Sequence, residues 1–217
     1  KKLGIKYFIF VNEEVGFRML FPGLHESNEI KILDNLTRII LKRKKQDIVF
    51  IDVGANFGLV TVPAMKYFKK VISIEPHPIT AYCLRENVSK TKGKAEVIEA
   101  VASTQKGTTL LYDPPNQYTS GYSSIVPKKD WTSQTVKTIS IDSLGLPACE
   151  FIKVDVQGSE LDVIKGAEHT IKLYKPWMYV ETKESRDPIE LLRDWGYTSI
   201  ESYGVGHTIC THRKRLR

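Results

Sequence analysis

The chain is poor in cysteine and has no long apolar run. Cys83, Cys149 and Cys210 are three thiols in 217 residues, widely separated and without a C-x-x-C pair that would hold a metal or a redox disulfide. No stretch approaches the roughly 18 consecutive apolar residues of a membrane span. The first apolar run, residues 7–11 (YFIFV), is cut short by Asn12, Glu13 and Glu14 and so cannot be the core of a secretory signal. A reducing, cytoplasmic compartment is therefore expected. Phosphate-binding signatures are missing as well: there is no G-x-G-x-x-G for a dinucleotide and no G-x-x-x-x-G-K-[ST] for ATP. Neither a Ser-His-Asp order nor an H-E-x-x-H spacing supports a hydrolase.

What is present describes one globular domain. With 41% apolar and 26% charged residues the chain has enough apolar side chains for one sizeable core, which excludes a disordered tail protein. The formal charge of +7 invites a nucleic-acid partner. The two basic clusters argue otherwise: residues 42–45 (KRKK) close a helical pattern, where cations suit the macrodipole, and residues 212–217 (HRKRLR) are a chain end. Both are read as solvated faces, and no nucleic acid is expected. The sequons at Asn35 and Asn87 fall in helical patterns and are read as chance. The start at Lys1-Lys2, without methionine, leads us to expect a piece of a longer polypeptide.

Residues 1–23 have the β-rich runs of a hairpin extension, and residues 24–217 form the expected domain. Ser27 or Asn28 is placed to cap a first helix, in which Ile32, Leu36 and Ile39 share a face. Apolar strands then alternate with helices. Strands are expected at 48–52 (IVFID), 71–75 (VISIE), 96–101 (EVIEAV), 151–155 (FIKVD) and 177–181 (WMYVE), with β-like stretches at 108–112 and 136–141. Helices are expected at 59–68, from Pro78, from Ser159 with Asp162 completing a capping box, and from Asp187 as N-cap before Pro188. Residues 197–202 and 207–211 read as a closing hairpin.

This alternation predicts a Rossmann-like, doubly wound α/β fold: a mostly parallel seven-stranded sheet with an antiparallel C-terminal hairpin strand. Ligands in such sheets bind beyond the carboxyl ends of the strands, where Asp52, Glu75, Val101, Asp155 and Glu181 fall. The sharpest local signal is IDVGANFG, in which Gly54 and Gly58 shape the turn after Asp52 and let a ligand approach the backbone. Glu75, 23 residues after Asp52, is placed to accept hydrogen bonds from ribose hydroxyls. A carboxylate at the base of the turn suits a nucleoside without phosphates, and S-adenosylmethionine fits better than NAD.

With these residues in view, IDVGANFGLVTV, ISIEPHP, EVIEAVAS, TISIDSL and above all FIKVDVQGSELDVIKGAE resemble the FkbM family of class I S-adenosylmethionine-dependent methyltransferases, from about residue 26 to about residue 197. Gln157 stands where the family usually has Glu, and Ser159 where it often has Ala. The resemblance implies S-adenosyl-L-methionine as cofactor, S-adenosyl-L-homocysteine as product, and methyl transfer to a hydroxyl, commonly on a sugar or a polyketide-type product. It places Asp52, Gly54, Ala55, Asn56 and Gly58 along the methionine and ribose, and Glu75 on the ribose hydroxyls. Pro76 and His77 would edge the adenine, Ala100 and Val101 would flank it, and Asp155 would face the reacting centre. Glu26 would reach the amino-acid end.

An alcohol must lose its proton as it is methylated, so a general base is required. Asp155 and Glu181 are the first candidates, with Lys153, two residues from Asp155 on the same strand face, orienting it or adjusting its pKa. The two acids would also suit a hard cation such as magnesium. No third ligand is identifiable, and no metal site is predicted. His207 lies near the chain end, and no histidine is assigned as base. Asp113-Pro114-Pro115-Asn116 looks like the D-P-P-Y motif of enzymes that methylate amino groups of DNA bases, but stands away from the fourth parallel strand where that motif belongs. Residues 113–129 are expected to form an acceptor loop or lid. The expected activity is O-methylation of a sugar or glycan hydroxyl, with nucleic-acid methylation and a non-catalytic cofactor-binding module as alternatives. Oligomeric state is left open.

Overall fold

The computed structural model describes residues 7–9, 48–91, 95–115, 120–182, 185–203 and 206–215. Glu26, the helix expected after Ser27, the basic cluster at 42–45 and all but residues 7–9 of the N-terminal hairpin lie outside them. In chain order the strands are β1 (Val49–Val53), β2 (Lys70–Ile74), β3 (Ala95–Ile98), β4 (Val101–Ala102), β5 (Gly107–Asp113), β6 (Thr132–Ile139), β7 (Phe151–Val154), β8 (Trp177–Glu181), β9 (Tyr197–Tyr203) and β10 (His207–His212). The α-helices are α1 (Thr61–Ala64), α2 (Pro78–Ser89), α3 (Glu160–Lys165), α4 (Glu168–Tyr174) and α5 (Asp187–Asp194).

Seven strands form one sheet in the order β3-β2-β1-β7-β8-β10-β9. Only β10 runs against the rest, antiparallel to both β8 and β9. The chain winds outward from β1 to β3 and then returns to β7 on the other side of β1, so the switch point lies between the carboxyl ends of β1 and β7. β1 and β8 are buried along their whole length, as the unbroken apolar runs require. Alternate residues serve opposite faces. Val49, Ile51, Val53, Ile152, Val154 and Val180 pack with Val163, Ile164, Ile171 and Leu192, whereas Phe50, Phe151, Tyr179 and Ile209 pack with Val60, Ala64, Met65 and Phe68.

Several elements depart from expectation for identifiable reasons. The helix expected over 59–68 is a single turn, α1: beyond Ala64 the backbone tightens to i−3 bonds, the Lys66 amide donating to the Pro63 carbonyl at 3.2 Å and the Tyr67 amide to that of Ala64 at 2.9 Å. The helix expected from Ser159 is split into α3 and α4. Its break is at Gly166, where a Cβ would come within 1.9 Å of the Ser103 carbonyl oxygen and whose own carbonyl accepts from the Asp142 amide at 2.9 Å. Asp142 then caps α4 from outside, accepting from the amides of His169 (2.9 Å) and Thr170 (2.8 Å). The Ser159 side chain makes no capping bond; its carbonyl takes the Asp162 and Val163 amides. Arg186 rather than Asp187 is the N-cap of α5, and Asp187 lies in the first turn, where its charge suits the helix dipole.

The strand expected over 96–101 ends at Ile98. Val101 belongs instead to a second, three-stranded sheet of order β4-β6-β5, with a small core of Val101, Leu111 and Val136. Asn87 is 2% exposed, and its amide donates to the carbonyls of Phe8 and Phe57, each at 2.8 Å, so the fold leaves this sequon no room for a glycan. His212 is packed edge-on against Tyr197, which ties down the start of the basic tail. All three cysteines are buried free thiols. Among the described residues no helix is long and apolar enough to cross a membrane.

Candidate active site

The carboxyl ends of β1 and β7 are joined by a buried ion cluster. Asp52 and Lys153 are register partners on adjacent strands, and Lys153 Nζ lies 3.3 Å from Asp52 Oδ1. The same ammonium is 3.1 Å from Asp155 Oδ2 and donates to the Gly54 carbonyl at 3.2 Å. The other Asp52 oxygen accepts from Thr61 Oγ1 at 2.7 Å. A lysine this deeply enclosed, with 3% of its side chain exposed, keeps its charge only because two carboxylates and a carbonyl surround it.

Gly54 has φ +74°, and a Cβ there would sit 1.9 Å from the Asp155 carbonyl oxygen. The glycine is thus demanded by the junction of β1 with the segment after β7, a reason separate from ligand access. The turn continues through Asn56, at φ +48°, whose Oδ1 accepts from the Phe57 amide.

Glu75 follows β2 and faces this turn. Its carboxylate accepts the amides of Asn56 at 2.9 Å and His77 at 3.0 Å. Burial pushes its pKa up to about 7, against the pull of those two amides and of Lys153. His77 is the N-cap of α2, and its ring lies 3.8 Å from Asp113. Burial lowers the ring's pKa more than the carboxylates of Asp113 and Glu99 raise it.

A cleft opens at these strand ends, where ligands of such sheets bind. Of the residues expected from the sequence, Gly54, Asn56, Glu75, Pro76, Ala100, Val101 and Asp155 line it. Asp52, Ala55, Gly58, His77, Lys153 and Glu181 are not in its wall. Asp52 and Lys153 act from behind it through their ion pairs. Asp155 is hydrogen-bonded to the side chain of Glu181. Burial raises the Asp155 pKa, but the charge of Lys153 and the hydrogen bonds from Glu181 and Lys153 outweigh it and hold the group below the ordinary carboxylate range.

Ser123 and Ser124 of the expected acceptor loop, and Gln157 and Ser159, where the chain departs from the family pattern, also line the cleft, as do Leu111, Gly121 and Ile125, to which the sequence did not point. Ser124 exchanges two backbone bonds with Tyr112, and its hydroxyl donates to the Gln157 carbonyl at 2.9 Å. Asp113, the first residue of the D-P-P stretch, accepts from Ser123 and Gln134 at 2.6 and 2.7 Å and so anchors this wall. Among the described residues no group of three or more His, Cys, Asp or Glu is arranged to hold a metal ion.

The donor set suits a nucleoside without phosphates. Glu75 offers a carboxylate to vicinal hydroxyls, and Val101, Leu111 and Ile125 supply an apolar wall for a base. The helix after the turn, α1, is only four residues long, too short to offer pyrophosphate a developed dipole.

The comparisons agree with this geometry. The family model of the methyltransferase FkbM domain matches residues 52–199. The chain belongs to the FkbM methyltransferase family. The match starts at Asp52 and takes in Glu75, Lys153, Asp155 and Glu181. A curated relative, hexuronic acid methyltransferase AglP of Haloferax volcanii, is 28% identical over 164 residues, 73% of this chain and 66% of AglP. The chain therefore spans just under two thirds of that relative's length. The crystal structure of an FkbM methyltransferase from Methylobacillus flagellatus KT superposes with a TM-score of 0.53 at 20% identity, covering 74% of this chain and 42% of that one. The METTL16 methyltransferase domain superposes with a TM-score of 0.54 at 16% identity, covering 97% of this chain and 74% of that one. Both likenesses are of fold, and this FkbM chain has the seven-stranded sheet with one antiparallel strand near the C-terminus that is consistent with a class I methyltransferase.

Proposed function

We propose that this methyltransferase uses S-adenosylmethionine to methylate a hydroxyl of a sugar in a glycan or glycosylated product. The observation that carries the reading is the hydrogen-bonded pair of Asp155 and Glu181 beyond the carboxyl ends of β7 and β8, with Asp155 in the wall of the cleft that Glu75 also lines. Glu75 would hold the ribose hydroxyls, and Gly54 and Asn56 would line the turn beside the ribose and methionine. Pro76, Ala100 and Val101 would enclose the adenine. When bound, the cofactor supplies an electrophilic methyl group on a sulfonium.

The chain's own residues would do the rest. Asp155, kept anionic by Lys153, faces the cleft where a hydroxyl would meet the sulfonium and is placed to take its proton. Lys153 fixes its position, and Glu181 donates to it from the next strand. Ser123 and Ser124 in the cleft wall would narrow it around the reacting centre, which would favour alignment and the exclusion of water. AglP, whose name assigns it a hexuronic acid, supports a sugar as the class of acceptor.

Incubation with methyl-labelled cofactor and a panel of hexuronic acid and deoxyhexose glycosides tests the proposal. Label on a sugar is the expected result. Label on RNA and on no sugar would overturn it.

A further inference from the structure

The Asp155–Glu181 pair has a third neighbour that nothing above uses. β7 and β8 are in register at Lys153 and Tyr179, so two residues further along Asp155 and Glu181 stand side by side. β10 runs antiparallel to β8 with His207 directly opposite Glu181. Directly opposed residues project to the same face of a sheet. Asp155, Glu181 and His207 therefore form a row across three strand ends, on the face that one step below holds Asp52, Lys153 and Tyr179. The His207 ring is stacked on Tyr179, with centroids 5.5 Å apart and planes at 21°. Exposure grades along the row: Glu181 is 3% exposed, whereas His207 is only partly buried.

We propose that His207 is the outer member of a proton relay, Asp155–Glu181–His207, that carries the acceptor's proton from the cleft toward solvent; this rests on the O-methyltransferase reading. In the step itself the C–O bond forms as the C–S bond breaks, the bonding pair goes to sulfur, and the hydroxyl proton passes to the Asp155 carboxylate. The proton already shared between Asp155 and Glu181 then moves outward to a ring nitrogen of neutral His207, which releases it to water. The pair returns to one proton and one negative charge for each methyl transferred. Without an outlet the pair would finish the turnover doubly protonated, in the state that cannot accept the next proton.

The titratable and charged groups that the described residues set around the ring are Glu181 and Tyr179 on β8 and Asp155 and Lys153 on β7. On β9 the backbone register partner of His207 is residue Tyr203. His207 acts through Glu181 and so is a positioning and relay residue rather than one that touches the acceptor.

Two measurements on the full chain test this. In His207→Gln, S-adenosylhomocysteine affinity is expected to stay within about twofold of wild type while kcat falls about 10- to 100-fold and the acid limb of its pH profile moves. Imidazole should restore part of the activity of His207→Ala. An unchanged kcat and pH profile, or loss of affinity in step with kcat, would overturn the relay. In the free protein, the titration of the His207 ring followed by NMR should move to lower pH by about half a unit or more in Asp155→Asn, which removes the pair's charge; an unmoved titration would overturn the relay. A wild-type enzyme that methylates no hydroxyl would refute the functional reading instead, and the NMR titration would still decide whether the three side chains are coupled.

Discussion

The ammonium of Lys153 lies 3.1 Å from Oδ2 of Asp155, and the same nitrogen reaches Asp52 at 3.3 Å. Adjacent strands are thereby clamped at the point where the chain reverses its winding, and the carboxylate facing the cleft is held anionic by the ammonium beside it.

Replacement of Lys153 by Met leaves two carboxylates close together at a buried junction. A loss of about 3–5 kcal/mol in urea unfolding is expected, the usual cost of breaking a buried pair. Asp52→Asn in the same chain removes one of the orphaned charges and should recover part of that loss. If the double variant is no more stable than Lys153→Met alone, Asp52 and Lys153 are not coupled as described.

Glu75 predicts a pH-dependent affinity. Its pKa is raised from 4.5 to about 7, so the folded protein holds this proton more tightly than the unfolded chain does. Its contribution to stability is full below about pH 4.5 and is lost as pH rises toward 7. In the proposed binding mode ribose hydroxyls donate to the carboxylate, so binding would need the ionised form. S-adenosylhomocysteine affinity measured by calorimetry should weaken about tenfold per pH unit below 7. Glu75→Gln should bind weakly with a flat profile, and its unfolding temperature relative to wild type should rise between pH 5 and pH 8.

Asp155→Asn removes the proposed base while keeping its shape. Turnover is expected to fall roughly 10²- to 10⁴-fold, with product affinity within about threefold of wild type. A parallel collapse of affinity would assign Asp155 to cofactor binding instead.

Gly54→Ala tests the junction. A methyl group there would sit 1.9 Å from the Asp155 carbonyl oxygen at a φ of +74°, and the backbone strain alone costs about 1–3 kcal/mol. Thermal unfolding should show a lower midpoint, and calorimetry should show lost nucleoside binding.

Much of this architecture was legible in the sequence because the central strands announce themselves. Residues 48–52, 71–75, 151–155 and 177–181 are apolar runs ending in acids, interrupted only by Ser73 and Lys153, and these four strand ends place Asp52, Glu75, Asp155 and Glu181. β5 and the end of β6 were legible as the β-like stretches 108–112 and 136–141, but their pairing into a second sheet was not, since both are Thr-rich and largely exposed and β4 is two residues long. Ser123, Ser124 and Ile125 join the cleft by a fold-back fixed at Tyr112 and Gln157, which no local pattern encodes. His207 is brought to Glu181 by antiparallel register across 26 residues, and the break at Gly166 depends on the carbonyl of a distant turn.

The nature of the bond formed is the most direct test of a site organised around a base. A hydroxyl acceptor needs a base, the role proposed for Asp155, and yields a methyl ether, whereas a uronate carboxylate needs no base and yields a methyl ester. Sugar product labelled in the methyl group should therefore be treated with mild alkali and the released methanol counted. The label is predicted to stay on the sugar; its release would contradict deprotonation of a hydroxyl by the Asp155–Glu181 pair.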